Sequence, residues 1–190
     1  LDTLFMDGLY SDLERITRIN EMLDAAPLEG SIEIAAVSAT IATILGTLTA
    51  LVLVRFKQSR MRIALDTVVA APLVMPEVII GLSLLLLFIS IEQLIGWPAG
   101  RGQTTITIAH STFAMAYITV VVRSRLAHMD QSLEEAAMDL GAHPLKVFFL
   151  ITMPIIAPSL MAGWLLAFTL SMDDLIVASF VSGPGSTTLP

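Results

Sequence analysis

Cysteine is absent from the 190 residues. Disulfides, zinc–thiolate sites and thiol nucleophiles are therefore excluded. Charge is scarce as well: 14% of the residues are Asp, Glu, Lys or Arg, against about 25% in an average soluble domain. No Gly-x-x-x-x-Gly-Lys-Ser/Thr phosphate loop occurs, and neither Gly-x-Ser-x-Gly nor His-Glu-x-x-His is present. Nucleotide binding through that loop and two familiar hydrolase signatures are thus ruled out. The chain opens at Leu1 without a basic-then-apolar signal, and the sequence is read as a piece of a longer one.

What is abundant is apolar: 55% of the residues, with a mean hydropathy of +0.82. Residues 34–54 hold no charge, and a helix of that length spans about 31 Å, the thickness of a hydrocarbon core. This pattern predicts an all-α integral membrane protein. Residues 1–33 are acidic, with eight carboxylates against Arg15 and Arg18. Leu9, Leu13, Ile16, Ile19, Leu23 and Ala26 recur there at helical spacing up to Pro27. This external amphipathic segment lies on the membrane surface or packs on its own protein; its polar face is not basic, which favours packing. Residues 34–190 form the membrane domain.

Four spans are expected, at about 34–54, 63–91, 106–122 and 151–171. In the first, Ala35, Ala39, Ala42, Gly46 and Ala50 make a stripe of small residues suited to close helix contact. Arg55, Lys57, Arg60 and Arg62 follow and place that short loop in the cytoplasm. The second span carries Asp66, Pro72, Pro76, Glu77 and Gly81, so one straight rod is not expected. Irregular backbone at membrane depth lines protein or a wet cavity. The loop 92–105 has a single basic residue, Arg101, and lies outside. Arg123 and Arg125 mark the cytoplasm again at the start of the polar loop 123–150. The segment 183–188 reads as turn-rich.

That loop is the one long polar segment between strongly apolar ones. Ser132-Leu133-Glu134-Glu135 matches a capping box that starts a helix over 133–140, with Gly141 as its stop and Pro144 restarting helix. On this reading Glu135 caps the helix of an ordinary hairpin. Glu135-Ala136-Ala137, three residues, Gly141, nine residues and Ile151-Thr152-Met153-Pro154 form a ruler. It resembles the cytoplasmic loop of ABC-importer permeases, membrane subunits driven by a separate ATPase. There the pattern is Glu-Ala-Ala, Gly and Ile-x-Leu-Pro at the same offsets, and Met153 for leucine is the one departure. Further stretches narrow the resemblance to polyamine permeases of the putrescine/spermidine type: 71–77, Ile95-Gly96-Trp97-Pro98, and 171–175 through Gly183-Pro184-Gly185.

The resemblance implies a multi-span bundle of the type I ABC-importer permease (MetI-like) kind, with four spans present and the family's first and last missing. It implies that Glu135, Ala136, Ala137 and Gly141 couple to the ATPase. The implied partners are a second permease subunit, a cytoplasmic ATPase dimer and a periplasmic polyamine-binding protein, all at the bacterial inner membrane. The chain itself would be no enzyme and carry no cofactor, ATP being bound by the ATPase, and nucleic acid would play no part.

Charges at membrane depth cost at least ~2.5–3.5 kcal/mol each and call for a reason. Asp66, four residues past Arg62, fits an interfacial residue paired with a nearby arginine, though it stays among the pathway candidates. Glu77 lies past the midplane if its helix were straight, and Asp173-Asp174 lie near the outer end of the fourth span. Two acidic sites in the outer half suit a cationic solute such as a diammonium compound; the plainer reading has Asp173-Asp174 capping a helix. His110 reads as a hydrogen-bonded packing residue, and His128 and His143 as solvated. Other readings remain open. A permease for iron or sulfate is one, although an oxyanion calls for intramembrane arginine or helix N-termini, and no arginine lies inside the spans. A proton-coupled transporter would leave the polar loop without a purpose. An intramembrane hydrolase fits poorly, because adjacent aspartates point about 100° apart on a helix and share a proton badly.

Overall fold

The computed structural model describes residues 30–55, 60–98 and 100–182, and these contain helices and no strand. In chain order the helices are α1 (Gly30–Arg55), α2 (Arg60–Val74), α3 (Glu77–Ile95), α4 (Gln103–Ala127), α5 (Ser132–Asp139), α6 (Pro144–Val147), α7 (Met153–Asp173) and α8 (Leu175–Val181). A π turn, Phe148–Thr152, joins α6 to α7 without a break. Four helices are long and apolar enough to cross a membrane: α1, α3, α4 and the continuous rod Pro144–Asp173. The expected amphipathic helix in 1–33, Lys57 of the basic loop and the turn-rich 183–188 lie outside the described residues.

α4 is the hub, and it is the most enclosed of the four spans. Ala39, Ala42 and Ala50 of α1 pack against Ala114, Ile118, Val122 and Leu126 of α4, with Ile156 and Ala167 of α7 completing the cluster. The small-residue stripe is buried throughout, as its spacing predicts. Gly46 shows why small size matters: a Cβ there would stand 2.9 Å from the Ile118 side chain and 3.1 Å from the Met115 carbonyl. Hydroxyls on these helices mostly bond the carbonyl one turn back, as Thr43 does to Ala39 O at 2.7 Å, so no donor is stranded in an apolar setting.

The second span is two helices. α2 ends at Val74 and α3 starts at Glu77. The break falls at Met75-Pro76, because a residue before proline is driven out of the helical region and proline donates no hydrogen bond. Pro72, by contrast, is accommodated inside α2. Only Glu77–Ile95 has the length and apolarity of a crossing, so the expected 63–91 is corrected to that shorter segment. α4 also outruns its expected ends, carrying Arg123 and Arg125 on the helix itself. The fourth span begins at Pro144, well before Pro154. At the π turn Met153 N–H bonds Phe148 O, five residues back.

α8 is a separate short helix after the fourth span, the one that the capping reading of Asp173-Asp174 requires. It packs against α3 and the first turns of α4, in a cluster of Ile34, Phe88, Ile106, Ala109, Val177, Ala178 and Val181. Thr105 Oγ1 donates to Val181 O at 2.8 Å and pins the far end of α8. Gly81 of α3 admits Phe180, whose ring would lie 2.7 Å from a Cβ at that position.

Candidate functional site

The polar loop folds as its punctuation dictates, with one correction. α5 runs Ser132–Asp139, but the capping box is not formed: Gln131 precedes the helix, and no side chain caps it from that position. Instead the Asp130 carboxylate accepts the Ser132 N–H at 3.0 Å. That bond holds the Asp130 carboxyl below the usual carboxylate range. At the other end Gly141 takes φ +85°. Its N–H bonds Met138 O at 2.9 Å, and Ala142 N–H bonds Ala137 O at 3.1 Å. This is the paired closure of a Schellman turn, which needs a residue free of Cβ strain. Pro144 restarts the helix as expected, with His143 Nδ1 accepting Leu145 N–H at 3.3 Å.

Two neighbouring glutamates on α5 have opposite fates. Glu135 is exposed, as are Ala136 and Gly141, and Ala137 is half-buried. Around them Leu133 is 49% and Leu140 90% exposed, an apolar margin unusual on a short polar-flanked helix. Glu134 faces inward and is buried. It pairs with the Arg55 guanidinium at the end of α1 and accepts the Thr152 hydroxyl of the π turn. The sequence pattern singled out Glu135 and passed over Glu134, since the two are alike in type. The available signal was the i, i+4 relation of Glu134 to Met138: together with Leu51, Arg55 and Val147 they line one inward cleft.

The four expected pathway carboxylates divide differently. Asp66 forms an ion pair with Arg123 of α4, the nearby arginine that its reading as a paired residue calls for. Glu77 is the first residue of α3, directly after the Pro76 break, and is exposed. Gly81, one turn on, packs against Phe180 and Val177 of α8. Asp173 is exposed and ends α7. Asp174 turns inward, and its Oδ1 caps α8 by accepting Val177 N–H at 2.9 Å. The capping role holds for Asp174.

Beside it stands His110 of α4, buried and bonded through Nδ1 to Ser171 Oγ at 2.6 Å, as a packing histidine would be. Yet His110 Nε2 lies 3.8 Å from Asp174 Oδ2, and the two side chains are only 3% and 7% exposed. Neither atom has a hydrogen-bond partner. Buried polar atoms are rarely left so. The structure therefore brings Asp174 to His110 and Asp66 to Arg123, and leaves Glu77 and Asp173 exposed.

Residues 39–190 match the family described as binding-protein-dependent transport system inner membrane component. The chain is 59% identical over 175 residues to the putrescine transport system permease protein PotI of Escherichia coli K12, covering 92% of this chain and 62% of that protein. It is 37% identical over 177 residues to the spermidine/putrescine transport system permease protein PotC of Haemophilus influenzae, covering 93% and 65%. A PotC homolog of Mycoplasma genitalium is 29% identical over 174 residues, covering 90% and 59%. The chain spans about three-fifths of the length of these curated relatives.

Proposed function

Because the chain belongs to the binding-protein-dependent transport system inner membrane components, we propose that it is a permease subunit of an ATP-driven importer whose solute is a polyamine, putrescine or spermidine. The observation that carries the reading is α5. Its inner face is held by Glu134, while Glu135, Ala136, Leu133 and Leu140 at its end face outward, a face shaped for a protein partner and not for water. An ATPase subunit is that partner, and a second permease subunit and an external binding protein complete the assembly. The likeness to PotI and PotC supports the solute.

The geometry suggests how a push on α5 reaches the solute. From Pro144 to Asp173 the chain is one helical rod, about 45 Å long at 1.5 Å per residue. It leads from the loop beside α5 to Asp173, Asp174 and α8. Displacement at one end is thereby delivered to the carboxylates at the other. Glu77, Asp173 and Asp174 hold the ammonium groups, while Asp66, compensated by Arg123, shapes the inner part of the pathway.

The test is uptake of labelled putrescine into proteoliposomes holding the full-length protein with its partner subunits and binding protein, with and without internal ATP. ATP-dependent uptake competed by spermidine, but not by sulfate, is expected. Hydrolysis of ATP without polyamine uptake overturns the solute. Uptake that follows a proton gradient and ignores ATP overturns the importer class. Unchanged uptake in Glu77→Gln or Asp173→Asn removes that residue from the pathway.

A further inference from the structure

We infer that Glu134, the neighbour of the expected coupling glutamate, is the positioning residue that ties the motion of α5 to two membrane helices at once. This rests on the coupling role proposed for α5. Among the described residues, every side-chain hydrogen bond or ion pair from α5 to a membrane helix runs through Glu134. One partner, Arg55, is the last residue of α1. The other, Thr152, is the last residue of the π turn that enters α7 and is fully buried. A single carboxylate thus joins three elements, one of them, α1, 79 residues away in sequence.

The chemistry singles out transmission over simple adhesion. Burying a carboxylate carries a desolvation cost that a well-packed apolar side chain would avoid, so an ion pair is a poor choice for stability alone. What it provides is direction. A charged acceptor holding two donors fixes both angle and distance more tightly than apolar contact does. Each partner is also anchored behind. α1 is held to α4 along the small-residue seam, where Gly46 leaves no room for slippage past Ile118. Thr152 lies in a π turn, and such turns inside α-helices concentrate at functional positions. The wider turn leaves the rod intact, so force applied at Thr152 travels along α7 toward Asp174. Displacement of α5 cannot reach α7 without moving α1 unless this clasp opens.

The experiment compares uptake per ATP hydrolysed in proteoliposomes of the complete transporter, with wild type, E134Q, T152V and T152S side by side. E134Q keeps the shape and the hydrogen-bonding capacity toward Thr152 but removes the charge that holds Arg55. The expected result is unchanged assembly with the ATPase, retained basal ATP hydrolysis, and uptake per ATP lowered about tenfold, the scale of one charge-assisted bond. T152V, which removes only the hydroxyl, lowers the ratio about threefold, and T152S restores it. Wild-type ratios in both E134Q and T152V overturn the inference. So does a loss of ATPase assembly in both, which would make the clasp mere support for the loop. A wild type without ATP-dependent uptake overturns the functional reading and this inference with it. A normal wild type beside an unaffected E134Q overturns the role of Glu134 alone.

Discussion

The two ends of the helical rod are built on opposite terms. At the end beside α5 a buried carboxylate, Glu134, has both an arginine and a hydroxyl as partners. At the end beside α8 a buried carboxylate oxygen of Asp174 and a buried ring nitrogen of His110 face each other at 3.8 Å with no partner. The first arrangement resists movement, because opening it strands a charge. The second gains from movement, because either a shift of the pair or an arriving donor would satisfy the orphaned atoms. The proposed function calls for this asymmetry: a stiff joint where motion enters, and an unsatisfied one where solute and water compete. The helices show the same contrast. α4 buries 61% of its most apolar stretch and α3 only 11%, so the hub is fixed by protein while α3 leaves most of its apolar surface uncovered.

The contrast breaks most readily at Glu134. Glu134→Ala leaves Thr152 without its acceptor and Arg55 without its charge. Wholly buried pairs broken in this way lose about 3–5 kcal/mol. Arg55 is 44% exposed and recovers water, so about 2 kcal/mol is expected as a drop in thermal stability of the purified full-length protein. Asp174→Ala should lose only about 1 kcal/mol, the value of a helix N-cap. Equal losses at the two sites would end the distinction between a satisfied and an unsatisfied end. Gly141→Ala comes next: at φ +85° a Cβ costs about 1–2 kcal/mol. No neighbour lies within 4 Å to clash, so the loss is backbone strain alone. Gly141→Asn, which tolerates that conformation better, should recover part of it.

Asp174→Asn sharpens the comparison from the other side. Its amide oxygen can still cap Val177 N–H, while its NH₂ can donate to His110 Nε2 when Nδ1 carries the proton toward Ser171. Pairing two orphans is worth about 0.5–1.5 kcal/mol, so this variant should melt higher than wild type. If Asp174 serves the solute, uptake should fall roughly tenfold in the same protein, a stability gain bought with activity. A variant that melts lower shows that the outer pair is already satisfied, by bound water for instance.

Much of this was legible in the sequence because membrane depth leaves few choices. Apolar runs marked four crossings, the second shorter than expected, the alanine and glycine stripe gave the α1–α4 seam, and Gly141 and Pro144 punctuated the loop as their backbone chemistry requires. What the sequence could not separate were residues of one type in adjacent positions. Glu134 and Glu135 differ only in which way a short helix is rotated, and that is set by Arg55 and Thr152, distant in the chain. Pro72 and Pro76 likewise look equivalent, yet α2 absorbs one and breaks at the other. The limits of α8 were hard to read because the mostly apolar residues 175–181 extend a span as readily as they start a new helix. The turn at Asp174, with ψ 85°, decides between them.

The smallest effect lies at Asp130, outside the clasp and fully in water. Its carboxyl is held below the ordinary aspartate range, first by the Ser132 backbone N–H and then by the Ser132 side chain. The contribution to α5 is therefore complete above the unfolded-state value and fades as pH falls through the lowered folded-state value. Amide exchange at Ser132, read in the full-length protein, should show protection through neutral pH that declines only in the acid range and is absent at every pH in Asp130→Ala. Because Asp130 touches neither Glu134 nor a membrane helix, uptake per ATP should be unchanged in that variant. A fall there matching that of E134Q would mean that any loosening of α5 uncouples the transporter. The stiffness would then reside in the helix as a whole and not in its one buried glutamate.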